Sequence, residues 1–129
     1  KMCYAALTKG TNTLQVALLT AAQKMGLTEQ LKEEFEFSQQ GALAAMESGI
    51  SRLPANAHRW IGEMEEISST FASLGITPYF HMGAADVYKL LNETPFAEET
   101  PETIDKNRST WDTISVAADM IKSEYVGPA

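Results

Sequence analysis

Apolar residues recur along this chain at three- and four-residue steps, in segments divided by capped breaks, which is the spacing of amphipathic helices. From Leu14 to Ala22 the run LQVALLTAA is apolar nearly all the way round. Such a helix is expected at the centre of a bundle, because a single stripe suffices at a surface position. The pattern predicts a first helix from about Met2 to Met25, with Gly26 as its C-terminal stop. Gly10 and the Thr11, Asn12, Thr13 run weaken it locally and allow a kink there. Thr28 reads as the N-cap of a second helix reaching about Phe37, with Glu29 in the first turn, where the helix dipole favours negative charge. Ser38 to Leu53 is a third helical stretch carrying Leu43, Ala44, Met46 and Ile50, and Pro54 marks its end. The clearest amphipathic helix runs from about Ala55 to Leu74. Its apolar positions are Trp60, Met64, Ile67 and Phe71, and Gly75 closes it. Thr77 and Pro78 signal a fifth start, for a helix carrying Tyr79, Phe80, Ala84, Val87, Tyr88, Leu90 and Leu91. Glu93 to Asn107 is polar and holds Pro95 and Pro101, so it is expected to wrap the surface with at most a turn or two of helix. Ser109 and Asp112 stand in a capping-box-like relation before a last helix ending near Lys122. No alternating strand pattern competes. The expected fold is all-α, a bundle of five or six helices.

Composition narrows the class. The 129 residues make 14.1 kDa, the size of one domain. Hydrophobic residues at 44% and charged residues at 21% are enough to build a core. Seventeen acids against ten bases give a net charge of -7 and a pI near 4.7. Nucleic acid and anionic membrane are therefore not expected as partners, since both would be repelled. No apolar run approaches the roughly 20 residues of a spanning helix, and no signal-peptide pattern occurs. A single cysteine, Cys3, excludes an intrachain disulfide and points to a reducing, cytoplasmic compartment, with a small, partly buried thiol. Because the first residue is Lys1, the chain reads as a piece of a longer protein or a processed product.

Few residues are arranged for chemistry. There is no glycine-rich phosphate loop. His58 and His81 are not set at a metal-ligand spacing and no HExxH is present, so no metal is expected. Glu63, Glu65 and Glu66 form an acidic cluster that reads as a solvated helix face. Glu63 stands apart, because it lies on the same broad side as Arg59 and one turn from Trp60. On the first helix, Lys1, Tyr4, Ala5 and Thr8 fall on one stripe, with Lys9 beside it and Asn12 continuing it. Polar groups facing one way on a core helix cost stability unless they meet partners or a ligand. Spacing alone leaves two readings: a ligand-facing stripe, or a helix that emerges from the bundle with Lys1 and Lys9 in solvent.

The opening KMCYAALTKG, followed by an apolar helix, resembles the start of the C-terminal helical domain in the β-hydroxyacid dehydrogenase superfamily, which includes 6-phosphogluconate dehydrogenase and 3-hydroxyisobutyrate dehydrogenase. The segments RWIGEMEEISSTF, GITPYFHMGAADVYKLL and TPFAEETPETIDKNRS resemble one branch of NAD(P)-dependent oxidoreductases in particular, one whose C-terminal domain was long catalogued as of unknown function. The resemblance spans nearly the whole chain. It implies a helical substrate-binding and dimerisation domain, with NAD or NADP held mainly by an N-terminal Rossmann domain outside this chain. It places Lys1 at the position of the essential proton-transfer lysine. An amine desolvated in a cleft can take a proton from a substrate hydroxyl while the cofactor takes the hydride. Where the superfamily usually has a substrate-holding asparagine this chain has Ala5, and where 6-phosphogluconate dehydrogenase has a glutamate acid it has Thr8. Thr8, Lys9 and Asn12 are the candidates to replace those contacts, with Tyr4 on the same stripe and Arg59 and Trp60 across the cleft. The Lys-Asp pair of the 3-hydroxyisobutyrate branch corresponds to Gly62 and Glu63, so the acid is kept and the cation is missing.

The expectation is thus a domain of an NAD(P)-dependent dehydrogenase acting on a small hydroxy acid, pairing with a copy of itself. The 129 residues alone are expected to bind no nicotinamide and turn over nothing. The competing expectation is a non-enzymatic helical interaction module, its polar stripe merely solvated.

Overall fold

The computed structural model describes residues 1–127. They form six α-helices: α1 (Met2–Met25), α2 (Thr28–Ser38), α3 (Gln40–Gly49), α4 (Pro54–Ser73), α5 (Tyr79–Asn92) and α6 (Thr110–Asp119). Short 3-10 turns occupy Ile50–Arg52 and Pro95–Glu98, and the described residues contain no strand. The molecule is an all-α bundle, as the periodicity predicts.

α4 and α5 make the most extensive helix pair, and α1 packs across α5 and α6. The core is continuous: Val16 and Leu19 of α1 meet Met64 and Ile67 of α4, Tyr88 and Leu91 of α5, and Ile114 of α6. Each of these side chains is almost wholly removed from water, which is worth roughly 1.5–3 kcal/mol per large apolar group.

The boundaries show which local signals act. Gly26, at φ 71°, ends α1 in the left-handed conformation, and its N–H and that of Leu27 return to the last turn of the helix. The Ser109 hydroxyl accepts the Asp112 N–H at 3.0 Å and so caps α6 as the sequence predicts. Thr28, expected as a cap, is instead the first residue of α2. Leu27 precedes it, and the Thr28 hydroxyl is turned to the Gln23 side chain. The expected third helix is shorter: Ile50–Arg52 tightens into a 3-10 turn, and Pro54 serves as the first residue of α4 rather than only as a stop. α6 ends at Asp119, before Lys122.

α1 differs from expectation in two ways. It runs unbroken through Gly10. It is also not central: Ala6, Thr13, Val16, Leu19, Thr20 and Ala22 are buried, while Leu7 and Leu14 on the other side are 68% and 64% exposed. Cys3 is exposed, because it lies outside the buried face. Arg108 fixes the polar segment before α6. Its guanidinium donates to both carboxylate oxygens of Glu99, at 2.9 and 2.7 Å, and to the Ser51 carbonyl at 2.9 Å, and it stacks on Phe96. No helix among the described residues is long and apolar enough to cross a membrane.

Candidate functional site

The N-terminal half of α1 lies against α4 on one side and α5 on another. Between α1 and α4 opens a cleft of about 530 Å³, lined by Lys1, Tyr4, Lys9, Glu63, Glu66 and Thr70 among others. Lys9 is held at both ends. Its Nζ donates to Glu63 Oε2 at 2.7 Å, and its backbone carbonyl accepts the Tyr88 hydroxyl at 3.2 Å. The same amine sits 5.0 Å from the centre of the Trp60 ring, while the Arg59 guanidinium lies 5.8 Å from it. Both cations can thus draw on the negative face of one indole. Trp60 in turn meets Tyr88 edge-on at 5.6 Å.

Tyr88 is fully buried. Burial pushes its phenol well above the usual value, because the phenolate would have to leave water; the hydrogen bond with the Asn12 side chain opposes this, and the Glu63 charge reinforces it. Tyr88 therefore stays a neutral donor to the Lys9 carbonyl.

The structure brings together Lys1, Tyr4, Lys9 and Glu63 at the cleft, with Trp60 and Asn12 behind them. Tyr4 is 73% exposed at the rim. Lys1 caps α1, its carbonyl accepting the Ala5 N–H at 3.0 Å, and its side chain stands exposed at the mouth of the cleft. Thr8 is turned back toward the Ala5 carbonyl of its own helix at 3.5 Å and does not line the cleft. Arg59 is exposed and bonds to the neighbouring Asn56 side chain. Glu65 and Glu66 are exposed, in keeping with a solvated face, though Glu66 also borders the cleft. His58 is exposed, and among the described residues no group of three metal-ligating side chains converges.

Two residues gain roles that periodicity did not assign. Tyr88 reads as apolar core, yet its hydroxyl positions Lys9. His81 is buried, and its Nε2 donates to the Ala6 carbonyl at 3.0 Å. The carbonyl can only accept, so Nε2 carries the proton; Nδ1 is buried without a partner. A Cβ at Gly10 would lie 3.1 Å from His81 Nε2. A glycine inside a helical pattern was the available signal, since it marks close approach as readily as a kink.

A family model described as domain of unknown function DUF1932 matches residues 22–91, just over half of the chain. The chain belongs to that family. No curated protein and no solved structure matches it. The matched segment runs from the end of α1 through α5 and so includes Arg59, Trp60, Glu63, His81 and Tyr88. Lys1, Tyr4, Thr8, Lys9 and Asn12 precede it.

Chemically, the cleft offers two amines and two carboxylates on rigid helices. The charge of Lys9 is already met by Glu63, whereas Lys1 has no ion-pair partner among the described residues. The cleft thus has one amine committed to structure and one at its mouth without a counter-ion.

Proposed function

We propose that this chain is the helical substrate domain of a cytoplasmic NAD(P)-dependent dehydrogenase acting on a small hydroxy acid, and that it pairs with a second copy of itself. The observation that carries this reading is the division of labour between the two amines. Lys9 is neutralised by Glu63 and held from behind by Tyr88, so it shapes the cleft, while Lys1 at the mouth has no counter-ion among the described residues. An uncompensated ammonium at a cleft attracts a carboxylate-bearing ligand, and the neutral amine can take the proton of a substrate hydroxyl.

In this reading the nicotinamide is not held by this chain. Gly10, Gly41, Gly49, Gly62 and Gly83 lie within helices and Gly26 and Gly75 in turns that end them, with no strand before them, so no phosphate-binding strand–turn–helix unit exists among the described residues. In this reading the dinucleotide is held by another domain and, when bound, supplies the hydride acceptor. This chain supplies the rest: Lys1 moves the hydroxyl proton, Glu63 and Lys9 set the polarity of the cleft, Ile67 gives it an apolar wall, and Trp60 backs the Lys9 amine.

The test uses the intact protein with a panel of small hydroxy acids and both NAD and NADP. Lys1→Met is expected to lower kcat by about 100-fold or more, the usual contribution of a positioned proton-transfer group, with the fold unchanged by circular dichroism. Hydride transfer at a near-normal rate in Lys1→Met clears Lys1 of the role. If no hydroxy acid is oxidised with either cofactor, the interaction-module reading replaces this one.

A further inference from the structure

The cleft between α1 and α4 carries two free charges of opposite sign. On α1 it is lined only by residues up to Lys9, and on α4 only by residues from Glu63 onward. The Lys9–Glu63 pair, at 2.7 Å, therefore closes one end. From it the walls run toward Lys1 on one helix and toward Glu66 and Thr70 on the other. Lys1 and Glu66 are both exposed, and neither has an ion-pair partner among the described residues. The Thr70 hydroxyl donates to the Glu66 backbone carbonyl of its own helix at 3.0 Å, so it leaves the Glu66 carboxylate unanswered. The spacing of the two charges is set by the helices. At 1.5 Å per residue, Lys1 lies about 12 Å along α1 from the closed end and Glu66 about 4.5 Å along α4. A ligand that meets both must carry its own charges several bonds apart.

We infer that the ligand of this cleft is a zwitterionic hydroxy acid, with its carboxylate at Lys1 and an ammonium group, several bonds away, at Glu66. This rests on the proposed function in taking the cleft as the substrate site, and it deepens that reading by naming the substrate class and Glu66 as the residue that selects it. Charge balance decides among the hydroxy acids. With Lys1 and Lys9 against Glu63 and Glu66, the cleft is neutral, and a zwitterion keeps it neutral while meeting both free groups. A hydroxy acid with an uncharged far end answers Lys1 alone and leaves Glu66 without a partner. A dicarboxylic or phosphorylated acid brings its second negative charge toward Glu66, with Glu63 one turn away, and repulsion of that kind rejects a wrong ligand.

Three probes on one carbon chain test this: 4-amino-3-hydroxybutyrate, 3,4-dihydroxybutyrate and malate present an ammonium, a hydroxyl and a carboxylate at the same carbon. Their binding to the intact protein is measured by calorimetry, with and without NAD or NADP. The amino compound is expected to bind tightest and malate weakest. Glu66→Gln is expected to weaken the amino compound about tenfold, the worth of one charge-assisted hydrogen bond, and to leave 3,4-dihydroxybutyrate within about twofold. Glu65→Gln removes the same charge one position away, outside the cleft, and is expected to change none of the three. A wild type that prefers malate or 3,4-dihydroxybutyrate, or binds none of the probes, overturns the inference. So does a Glu66→Gln variant in which all three shift alike, or a Glu65→Gln variant that loses the amino compound equally. The outcomes separate from those of the dehydrogenase reading. Selective binding of the amino compound with no oxidation by either cofactor supports the inference and removes only the enzyme, whereas preferred oxidation of malate or 3,4-dihydroxybutyrate does the reverse.

Discussion

Lys9 and Glu63, 54 positions apart in sequence, meet at 2.7 Å across the gap between α1 and α4. The pair is partly covered, with Trp60 flanking the amine and the Lys9 backbone tethered by Tyr88, so its geometry is set by groups that cannot easily move. Glu63→Gln keeps the shape and removes the charge. A partly exposed pair contributes about 1 kcal/mol or less, so the thermal midpoint is expected to fall by only a few degrees. The Lys9→Met/Glu63→Gln double variant should cost less than the sum of the two single changes. Full additivity in that double-mutant cycle, read by urea denaturation, means the two side chains do not interact in solution.

Gly10 and His81 make a sharper test of packing. In an open helix, Gly→Ala stabilises by about 1 kcal/mol through propensity. Here the new methyl would lie 3.1 Å from His81 Nε2, and the imidazole is backed by Phe71 with ring centres at 5.2 Å, so it has little room to retreat. Overpacking and a lengthened bond to the Ala6 carbonyl are worth about 1–3 kcal/mol together. Gly10→Ala is therefore expected to destabilise by about 1 kcal/mol, and in a His81→Ala background the same change should become stabilising. Chemical denaturation of the four proteins reads the sign. A stabilising Gly10→Ala in the wild-type background contradicts the contact.

How far the sequence reveals this molecule depends on how local each determinant is. The stop at Gly26 and the Ser109 cap lie within a few residues of the backbone groups they satisfy, and they appear where the pattern puts them. The bundle itself follows from periodicity. The position of α1 does not, because an all-round apolar segment reads the same whether its second face meets its own chain or stands open. Thr28 fits a cap as well as a first turn, and the choice falls to the neighbouring Gln23. At the candidate site, spacing puts Lys1, Tyr4 and Thr8 on one stripe with Lys9 beside it, and the structure keeps Lys1, Tyr4 and Lys9 at the cleft while Thr8 turns back to its own helix. Glu63, the partner of Lys9, stands apart on α4 in the sequence, but no pattern within either helix pairs the two. Tyr88 and Arg108 were the least legible. Their roles come from a hydroxyl on an apolar stripe and a guanidinium in a polar connector, each finding its partner only after the chain has folded.

Arg108 and Glu99 fix the connector before α6. The guanidinium is nearly buried, its side chain 7% exposed, and it donates to Glu99 and to the Ser51 carbonyl. Arg108→Ala removes the charged donor of Glu99 and of the Ser51 carbonyl while Glu99 itself stays close to solvent, so it is expected to cost about 1.5–3 kcal/mol, the worth of hydrogen bonds to a charged group. Arg108→Lys should recover only part of this, because an ammonium cannot reproduce the two-pronged contact with the carboxylate while also reaching Ser51. The hydrogen bond from Arg108 holds the Glu99 carboxyl below its ordinary value of 4.5. A depressed acid stabilises the fold above its unfolded pKa and loses that contribution as pH falls through the folded one. Stability should therefore decline below about pH 4.5 more steeply in wild type than in Glu99→Gln. Equal acid slopes in thermal melts would exclude the linkage.

Tyr88 gives the opposite dependence at the other end of the scale. Burial raises its phenol from the ordinary 10.0, so the folded chain holds this proton more tightly than the unfolded chain does. The contribution is complete below the unfolded value and is lost as pH rises beyond it, since the unfolded state then ionises while the folded state must stay neutral. Tyr88→Phe removes the titration and also the bond to the Lys9 carbonyl. At neutral pH it should cost about 1 kcal/mol, the worth of one hydrogen bond with the ring packing kept. Above about pH 10 the penalty should shrink and the variant's stability should fall less steeply than that of wild type. Because Tyr88 also holds the backbone at Lys9, the amide protons of that turn of α1 should exchange faster in Tyr88→Phe at neutral pH. Unchanged exchange there would show that α1 keeps Lys9 in place without the phenol.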